Sequence, residues 1–178
     1  MRTQDIAYIA LFGALTAVLG LIPTVYLAGG QVPISAQSLG PMLAGSVLGA
    51  RRGAASQLLL LLIVASGLPI LAGGRGGLGV FVGPTAGFLI AFPIAAFVIG
   101  LFAERLWQRL TFVKLLAINI VGGIIVVYAF GIPGWAFAAG KPVTDVAWLC
   151  AVFLPGDAIK VAIASAVGMF VKRGYPLI

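Results

Sequence analysis

Six apolar runs, separated by short charged or glycine-rich segments, most constrain what this chain can fold into. They cover residues 6–25, 39–50, 54–71, 85–103, 112–130 and 150–171. A transmembrane helix needs about 20 apolar residues, and barrel strands would alternate in polarity, which these runs do not. Only 8% of the residues are charged, against about 25% in a soluble domain. The pattern predicts an all-α integral membrane protein, with six spans in one domain covering residues 1–178.

The second run is the shortest and contains Pro41. A partial or broken helix is tolerated inside a membrane protein where it lines a cavity. We therefore expect this run to be a partial or broken helix that lines a cavity.

The basic residues indicate the orientation. Eight of the eleven fall on one side of the six-span arrangement: Arg2, Arg51, Arg52, Arg105, Arg109, Lys114, Lys172 and Arg173. Because cytoplasmic loops carry an excess of Lys and Arg, that side is predicted to be cytoplasmic, together with both termini. The opposite, outer side then carries few charges.

The three outer connections are long, apolar and rich in Gly and Pro. They span residues 26–41, 67–88 and 131–145. Their composition is not that of disordered segments, and long loops in compact proteins are often functional. We expect them to fold over the helix ends and enclose something, although ordinary outer loops of a helix bundle would have a similar composition.

Several classes of chemistry are excluded. The chain has no histidine and a single cysteine, Cys150, so a Ser-His-Asp triad or an internal disulfide cannot form and a zinc site is not expected. GRGGLG (74–79) lacks the strand, helix and acid of a dinucleotide site, and GWAFAAGKP (134–142) has Pro142 where a P-loop needs Ser or Thr. No nucleotide site, cofactor or metal is predicted.

Asp157 and Lys160 stand out at the outer end of the last run. An ionisable residue at membrane depth costs about 2.5–3.5 kcal/mol, so such residues usually have a function. Asp157 near a helix start is explained by capping and the helix dipole, but Lys160 is not. Their i, i+3 spacing puts an acceptor and a donor on one helix face. The pair predicts a site for a polar ligand that both donates and accepts.

Small residues spaced by four also recur along the chain. Ala10 and Ala14 form one pair, and similar pairs occur at Ala91/Ala95 and Ala162/Ala166. Such pairs let helices approach closely. In a chain this rich in Ala and Gly, internal packing is the simplest explanation of each pair.

Five stretches together resemble one family. They are PISAQSLGPMLAG (33–45), GARRGAASQLLLLL (49–62), GLPILAGGRGGLG (67–79), GPTAGFLIAFP (83–93) and LPGDAIK (154–160). Taken in this order they resemble BioY, the biotin-specific substrate-binding (S) component of energy-coupling factor (ECF) transporters. Phe88 is a departure, because family members often have Tyr there, and Leu71 stands where they often have Phe.

The resemblance implies the ECF S-component fold and high-affinity capture of biotin outside a prokaryotic cytoplasmic membrane. The protein would be a multi-pass transport subunit, not an enzyme. A transmembrane coupling protein and two cytoplasmic ATPases would supply the energy. Ala10 and Ala14 match the pattern through which such components dock on the coupling protein.

The chemistry of biotin then suggests a role for each site residue. Asp157 can accept from a ureido N–H and Lys160 can donate to the ureido oxygen. Arg75 is the candidate partner of the tail carboxylate, although it could instead meet lipid headgroups or solvent. The other predicted contacts are Gln37, Gly73, Gly74 and Phe88, with Leu71, Phe81 and Trp135 as candidate apolar walls.

Alternatives remain open at this point. In a reversed pose, Lys160 alone would hold the tail carboxylate. The same scaffold could bind another small vitamin. A membrane-embedded enzyme, or a structural subunit without a ligand, would also be compatible with the residues alone.

Overall fold

The computed structural model describes residues 2–24, 35–174 and 178, and this part of the chain contains no β-strand. The end of the first predicted run at Val25 and most of the first outer connection lie outside the described residues. The helices are α1 (Thr3–Leu21), α2 (Leu39–Leu48), α3 (Ala50–Ala65), α4 (Ala86–Arg105), α5 (Phe112–Ile120), α6 (Val127–Ala139), α7 (Val143–Cys150) and α8 (Leu154–Gly174).

The helices join into six runs. A π-helical stretch, Val121–Val126, connects α5 to α6, and a 3-10 turn, Ala151–Phe153, connects α7 to α8. Among the described residues, four runs are long and apolar enough to cross a membrane: Thr3–Leu21, Ala86–Arg105, Phe112–Ala139 and Val143–Gly174. The all-helical membrane architecture predicted from the sequence is therefore confirmed, while the division into six spans stays a prediction.

Helix α2 occupies the inside of the bundle. It has 10 residues, and every one of them is buried. Pro41 lies in its first turn, where the missing N–H has no intrahelical partner to lose, so the helix is short but regular. Because α2 has no exposed face, the other helices pack around it.

The third outer connection differs from the expected long loop. Most of residues 131–145 are helical, because α6 continues to Ala139 and α7 begins at Val143. Trp135, Ala136, Val146 and Cys150 form a buried cluster between these two helices. Burial of this apolar surface favours helix over loop here, and Gly140, with φ of 62°, ends α6 in a left-handed cap.

A buried polar cluster joins three helices in the middle of the bundle. The Nδ2 group of Asn119 in α5 donates to Ser46 Oγ in α2 at 3.0 Å and to Ser165 Oγ in α8 at 3.1 Å. Ser165 Oγ in turn donates to the Val161 carbonyl at 2.7 Å. All three side chains are buried, so these hydrogen bonds fix the relative register of the three helices.

The two ends of the bundle differ in charge. At one end, Arg52 pairs with Asp5 at 3.4 Å, and Lys172 Nζ donates to the Trp107 carbonyl at 2.6 Å. The first and last described helices, α1 and α8, begin and end at this basic end. At the opposite end lie Asp157 and Lys160. The structure therefore separates the two predicted sides, while the assignment of the basic end to the cytoplasm stays a prediction.

Candidate functional site

A cavity opens at the end of the bundle opposite the basic end. Its empty space, including the mouth that is open to solvent, is about 660 Å³. The lining comes from the segment before α2, the turn after α3, and helices α4, α6 and α8, with one residue each from the π stretch and the Ala151–Phe153 turn. It consists of Ser35, Gln37, Ser38, Leu71, Ala72, Arg75, Thr85, Phe88, Leu89, Phe92, Gly123, Val127, Tyr128, Phe153, Asp157 and Lys160.

Asp157 is the most buried charge in this cavity. It lies in the first turn of α8, and only 5% of its surface is exposed. Its Oδ1 accepts from Lys160 Nζ at 2.9 Å, and its Oδ2 accepts from the hydroxyl of Tyr128 at 2.7 Å. Two donors from two helices therefore fix the plane of the carboxylate.

Lys160 completes this network. Besides Asp157, its Nζ donates to Ser38 Oγ at 2.9 Å. Ser38 directly precedes α2, so the ion pair on α8 is also tied to the start of the central helix. The spacing that predicted a donor and an acceptor on one face of a helix corresponds to a short ion pair in the structure.

Gln37 holds the neighbouring backbone together. Its Nε2 donates to the carbonyls of Ile70 at 3.1 Å and Thr16 at 3.4 Å, and its Oε1 accepts from the N–H of Ala72 at 3.0 Å. Both amide hydrogens are thus used on the backbone. Gln37 thus forms a clamp between α1 and the turn after α3, and because it also lines the cavity, its contact with a ligand carboxylate stays a prediction.

Arg75 is presented by a tight turn. The backbone N–H of Leu71 donates to the Arg75 carbonyl at 3.0 Å, and that of Gly74 donates to the Leu71 carbonyl at 2.9 Å. Gly73 and Gly74 have φ of 78° and 69°, where a residue with a Cβ would be strained. The two glycines shape this turn and lie outside the cavity lining, so the structure gives them a backbone role.

The guanidinium of Arg75 is itself oriented by the protein. Its Nε donates to the Ala72 carbonyl at 3.0 Å and its Nη1 donates to Thr85 Oγ1 at 3.4 Å. A guanidinium has five N–H donors, so three remain available to the cavity. Arg75 lines the same cavity as the Asp157–Lys160 pair.

The apolar wall has two layers. Phe88 and Leu71 line the cavity, and the Phe88 ring meets the Tyr128 ring edge-on with 6.5 Å between centroids. Trp135 packs behind Phe88 and Tyr128, and Phe81 packs in the cluster that contains Leu71. Phe81 and Trp135 were predicted to form the apolar wall of the cavity. In the structure they pack behind the residues that line it.

Several lining residues were not predicted from the sequence, and four of them, Ser35, Ser38, Thr85 and Tyr128, carry hydroxyls. Tyr128 supplies a phenol next to Phe88, the position where a phenol is missing. A signal was present, because Tyr128 is a polar-tipped residue inside an apolar run, Ser38 directly precedes such a run and Thr85 is the first residue of another. The sequence alone could not show that these side chains line the same cavity.

Ala10 and Ala14 lie on the exposed face of α1. The opposite face of that helix, with Ile9, Gly13 and Thr16, is buried in the bundle. By contrast, Ala91 and Ala95 are fully buried. Internal packing therefore explains the pair in α4 but does not explain the pair in α1.

Comparison with known proteins links this geometry to one family. The family model described as "BioY family" matches residues 1–177. "Biotin transporter BioY" of Rhizobium etli is 48% identical over 183 aligned positions, covering 100% of this chain and 98% of the relative. "Probable biotin transporter BioY" of Bacillus subtilis is 45% identical over 177 positions, covering 99% and 95%.

A solved structure has the same fold. The crystal structure of the S-component for biotin from an ECF-type ABC transporter matches with a TM-score of 0.94. It is 30% identical in sequence, and the match covers 99% of this chain and 97% of that one. The likeness therefore extends over the whole bundle and includes both of its ends.

The clamp role of Gln37 predicts a large effect of Gln37→Glu. The change keeps the acceptor for Ala72 but turns the donor into an oxygen facing two carbonyl oxygens. We expect the free energy of unfolding to fall by about 1–3 kcal/mol, together with faster hydrogen exchange at the Ala72 amide. Gln108→Glu, at an exposed position near the basic end, is the matched control for thermal unfolding in detergent. Equal stability of the two variants would contradict the clamp.

Proposed function

The chain belongs to the BioY family, and from that premise we propose that it captures biotin with high affinity as the substrate-binding component of an ECF-type transporter. It is a membrane-embedded transport subunit and not an enzyme. The observation that carries the proposal at the level of residues is the buried Asp157–Lys160 pair, 2.9 Å apart, in a mostly apolar cavity.

The unused hydrogen-bonding capacity of this pair complements a ureido group. An ionised carboxylate has about four acceptor positions, of which Lys160 and Tyr128 occupy two on Asp157. The Lys160 ammonium has three donors, and Asp157 and Ser38 take two of them. Acceptor positions and one donor remain. A ureido ring carries an N–H beside its carbonyl, so we assign Asp157 to the N–H and Lys160 to the oxygen.

Arg75 is our candidate for the tail carboxylate of biotin. Three of its donors remain after its contacts with Ala72 and Thr85, and paired guanidinium–carboxylate hydrogen bonds are strong. In this pose the aliphatic tail and the thioether ring would lie along Leu71, Phe88 and their apolar neighbours. The reversed pose brings the ligand carboxylate next to Asp157, where like charges repel, so it is the less favourable of the two.

Energy coupling is proposed to come from separate subunits. We propose a transmembrane coupling protein and two cytoplasmic ATPases, since neither glycine-rich segment of the chain fits a nucleotide-binding motif. Ala10 and Ala14 are the proposed contact with the coupling protein, supported by their exposure on α1. The membrane is proposed to be the prokaryotic cytoplasmic membrane, with the basic end of the bundle and both termini in the cytoplasm.

The charged pair should dominate biotin affinity. Asp157→Asn and Lys160→Ala should each weaken binding well over tenfold, because charge-assisted hydrogen bonds are worth about 1.5–3 kcal/mol and each change leaves a buried partner unpaired. The measurement is equilibrium dialysis of the purified protein against labelled biotin. Saturable binding without chemical change of the ligand is expected for the wild type.

Matched controls are Asp145→Asn and Lys141→Ala. Both residues are exposed and lie at the same end of the bundle, outside the cavity. Wild-type affinity in the two cavity variants would refute the site. Conversion of biotin would indicate an enzyme, and binding of another vitamin in its place would indicate a different S component.

Tyr128→Phe should weaken biotin binding about tenfold while leaving the fold intact. The change removes the hydroxyl that orients Asp157 Oδ2, worth about 1.5 kcal/mol, but keeps the ring against Phe88. The loss should be specific to the ureido end. A biotin analogue without the ureido ring should bind both proteins equally, and an equal loss for the two ligands would contradict an orienting role.

Arg75→Ala separates the two ends of the ligand. If Arg75 binds the tail carboxylate, the variant should lose affinity for biotin but little for biotin amide, which carries no charge there. Isothermal titration of both ligands to both proteins gives the comparison. The same loss for biotin and its amide would exclude Arg75 as the carboxylate partner and favour the reversed pose.

A further inference from the structure

A second cavity lies at the basic end of the bundle and shares no residue with the first. Its empty space, including the part open to solvent, is about 1430 Å³. The start of α1, the junction of α2 and α3, and the last turns of α4 surround it. It is lined by Arg2, Asp5, Leu48, Ala50, Arg51, Arg52, Phe97, Leu101 and Glu104.

The two acids of this cavity are already occupied by the protein itself. Asp5 Oδ1 accepts from Arg52 at 3.4 Å and its Oδ2 accepts from the Arg2 backbone N–H at 2.9 Å. Glu104 Oε1 accepts from the backbone N–H of Ala50 at 2.7 Å and so secures the start of α3. The carboxylates therefore organise the wall of the cavity.

Three arginines line the cavity beside these two acids, so the lining carries an excess of positive charge, and Arg51 contributes to that excess. It is exposed in the first turn of α3 and lines the cavity. Within the part of the chain that the structure describes, its side chain makes no hydrogen bond or ion pair. A guanidinium in this position has its donors free for an anion, and arginine matches the geometry of phosphate oxygens.

The rest of the wall is apolar and runs toward the middle of the bundle. Phe97 and Leu101 lie four residues apart on one face of α4, and Glu104 follows one turn later. Phe97 is 41% exposed, on a helix long and apolar enough to span a membrane. A small anion would use only the arginines and leave this strip uncovered. A molecule with a charged head and an acyl chain would cover both.

We propose that this cavity binds an anionic phospholipid, with its phosphate at Arg51 and an acyl chain along Phe97 and Leu101. Basic pockets between membrane helices on the cytoplasmic side are typical sites for anionic headgroups. A phospholipid and a free phosphate ion would make the same phosphate–guanidinium contact. The apolar strip favours the lipid, because only the lipid has an acyl chain to cover it. The site is separate from the proposed biotin site at the other end of the bundle.

Native mass spectrometry of the purified full-length protein tests this proposal. The probes are phosphatidylglycerol and phosphatidylcholine with identical acyl chains, and inorganic phosphate as competitor. Wild-type protein should retain phosphatidylglycerol in preference to phosphatidylcholine. Arg51→Gln should lower that retention about fivefold, the effect of about 1 kcal/mol for each basic residue near an anionic surface. The control Arg173→Gln removes another exposed positive charge at the same end, outside the cavity, and should leave retention unchanged.

Biotin binding serves as the test of folding and should be unaffected in both variants. Equal retention of the two lipids, or equal losses in Arg51→Gln and Arg173→Gln, would overturn the proposal. Full displacement by inorganic phosphate would assign the site to a free anion. If Arg51→Gln changed co-purification with partner subunits but not lipid retention, the cavity would be a protein-docking site, and the lipid assignment would be wrong.

Discussion

An ion pair inside an apolar helix bundle persists only when the surrounding groups satisfy its atoms, because water cannot. Asp157 and Lys160 meet this condition with Tyr128 on one side and Ser38 on the other. The network leaves some acceptor and donor positions unused on two residues that line the cavity. Binding is therefore possible without first breaking the pair, which would be costly at this depth.

Three parts of the chain that are distant in sequence must meet to build that network. The central helix α2 allows this, because its complete burial brings Ser38 to the start of α8. The Asn119 cluster then fixes α2, α5 and α8 in one register. Close approach contributes as well, since a Cβ on Gly87 would overlap the carbonyl oxygen of Phe130. The site thus depends on how closely helices without large side chains can pack.

The bundle also separates its two cavities in space, since they share no lining residue. The end opposite the basic end holds a cavity whose charged lining residues are Arg75, Asp157 and Lys160. At the basic end, Asp5 accepts from Arg52 and Glu104 accepts from the backbone N–H of Ala50, so the two acids stabilise helix starts beside the exposed Arg51. Ala10 and Ala14 lie on α1 between these ends, on a face that the bundle itself does not use. A change at one end can therefore be tested with the other end as an internal control.

The sequence by itself determined the helical membrane class, the separation of charges and the importance of Asp157 and Lys160. Each follows from local rules, namely run length, charge placement and i, i+3 spacing on one helix. The family motifs extended this to the fold. The spacing of residues along the chain, however, does not give the direction in which Tyr128 points. The π-helical stretch before it changes the angular position of the residues of α6 relative to those of α5.

Tertiary structure alone decided which predicted residues reach the cavity. Gln37 bonds to backbone from α1 and from the turn after α3, partners that are 21 to 35 residues away along the chain. Trp135 lies behind the wall because residues 131–139 continue as a helix and pack on α7. Whether a segment forms a loop or a helix, and whether a side chain lines the cavity or packs behind its wall, depends on contacts between distant segments. Such contacts leave no periodic signal in a single sequence.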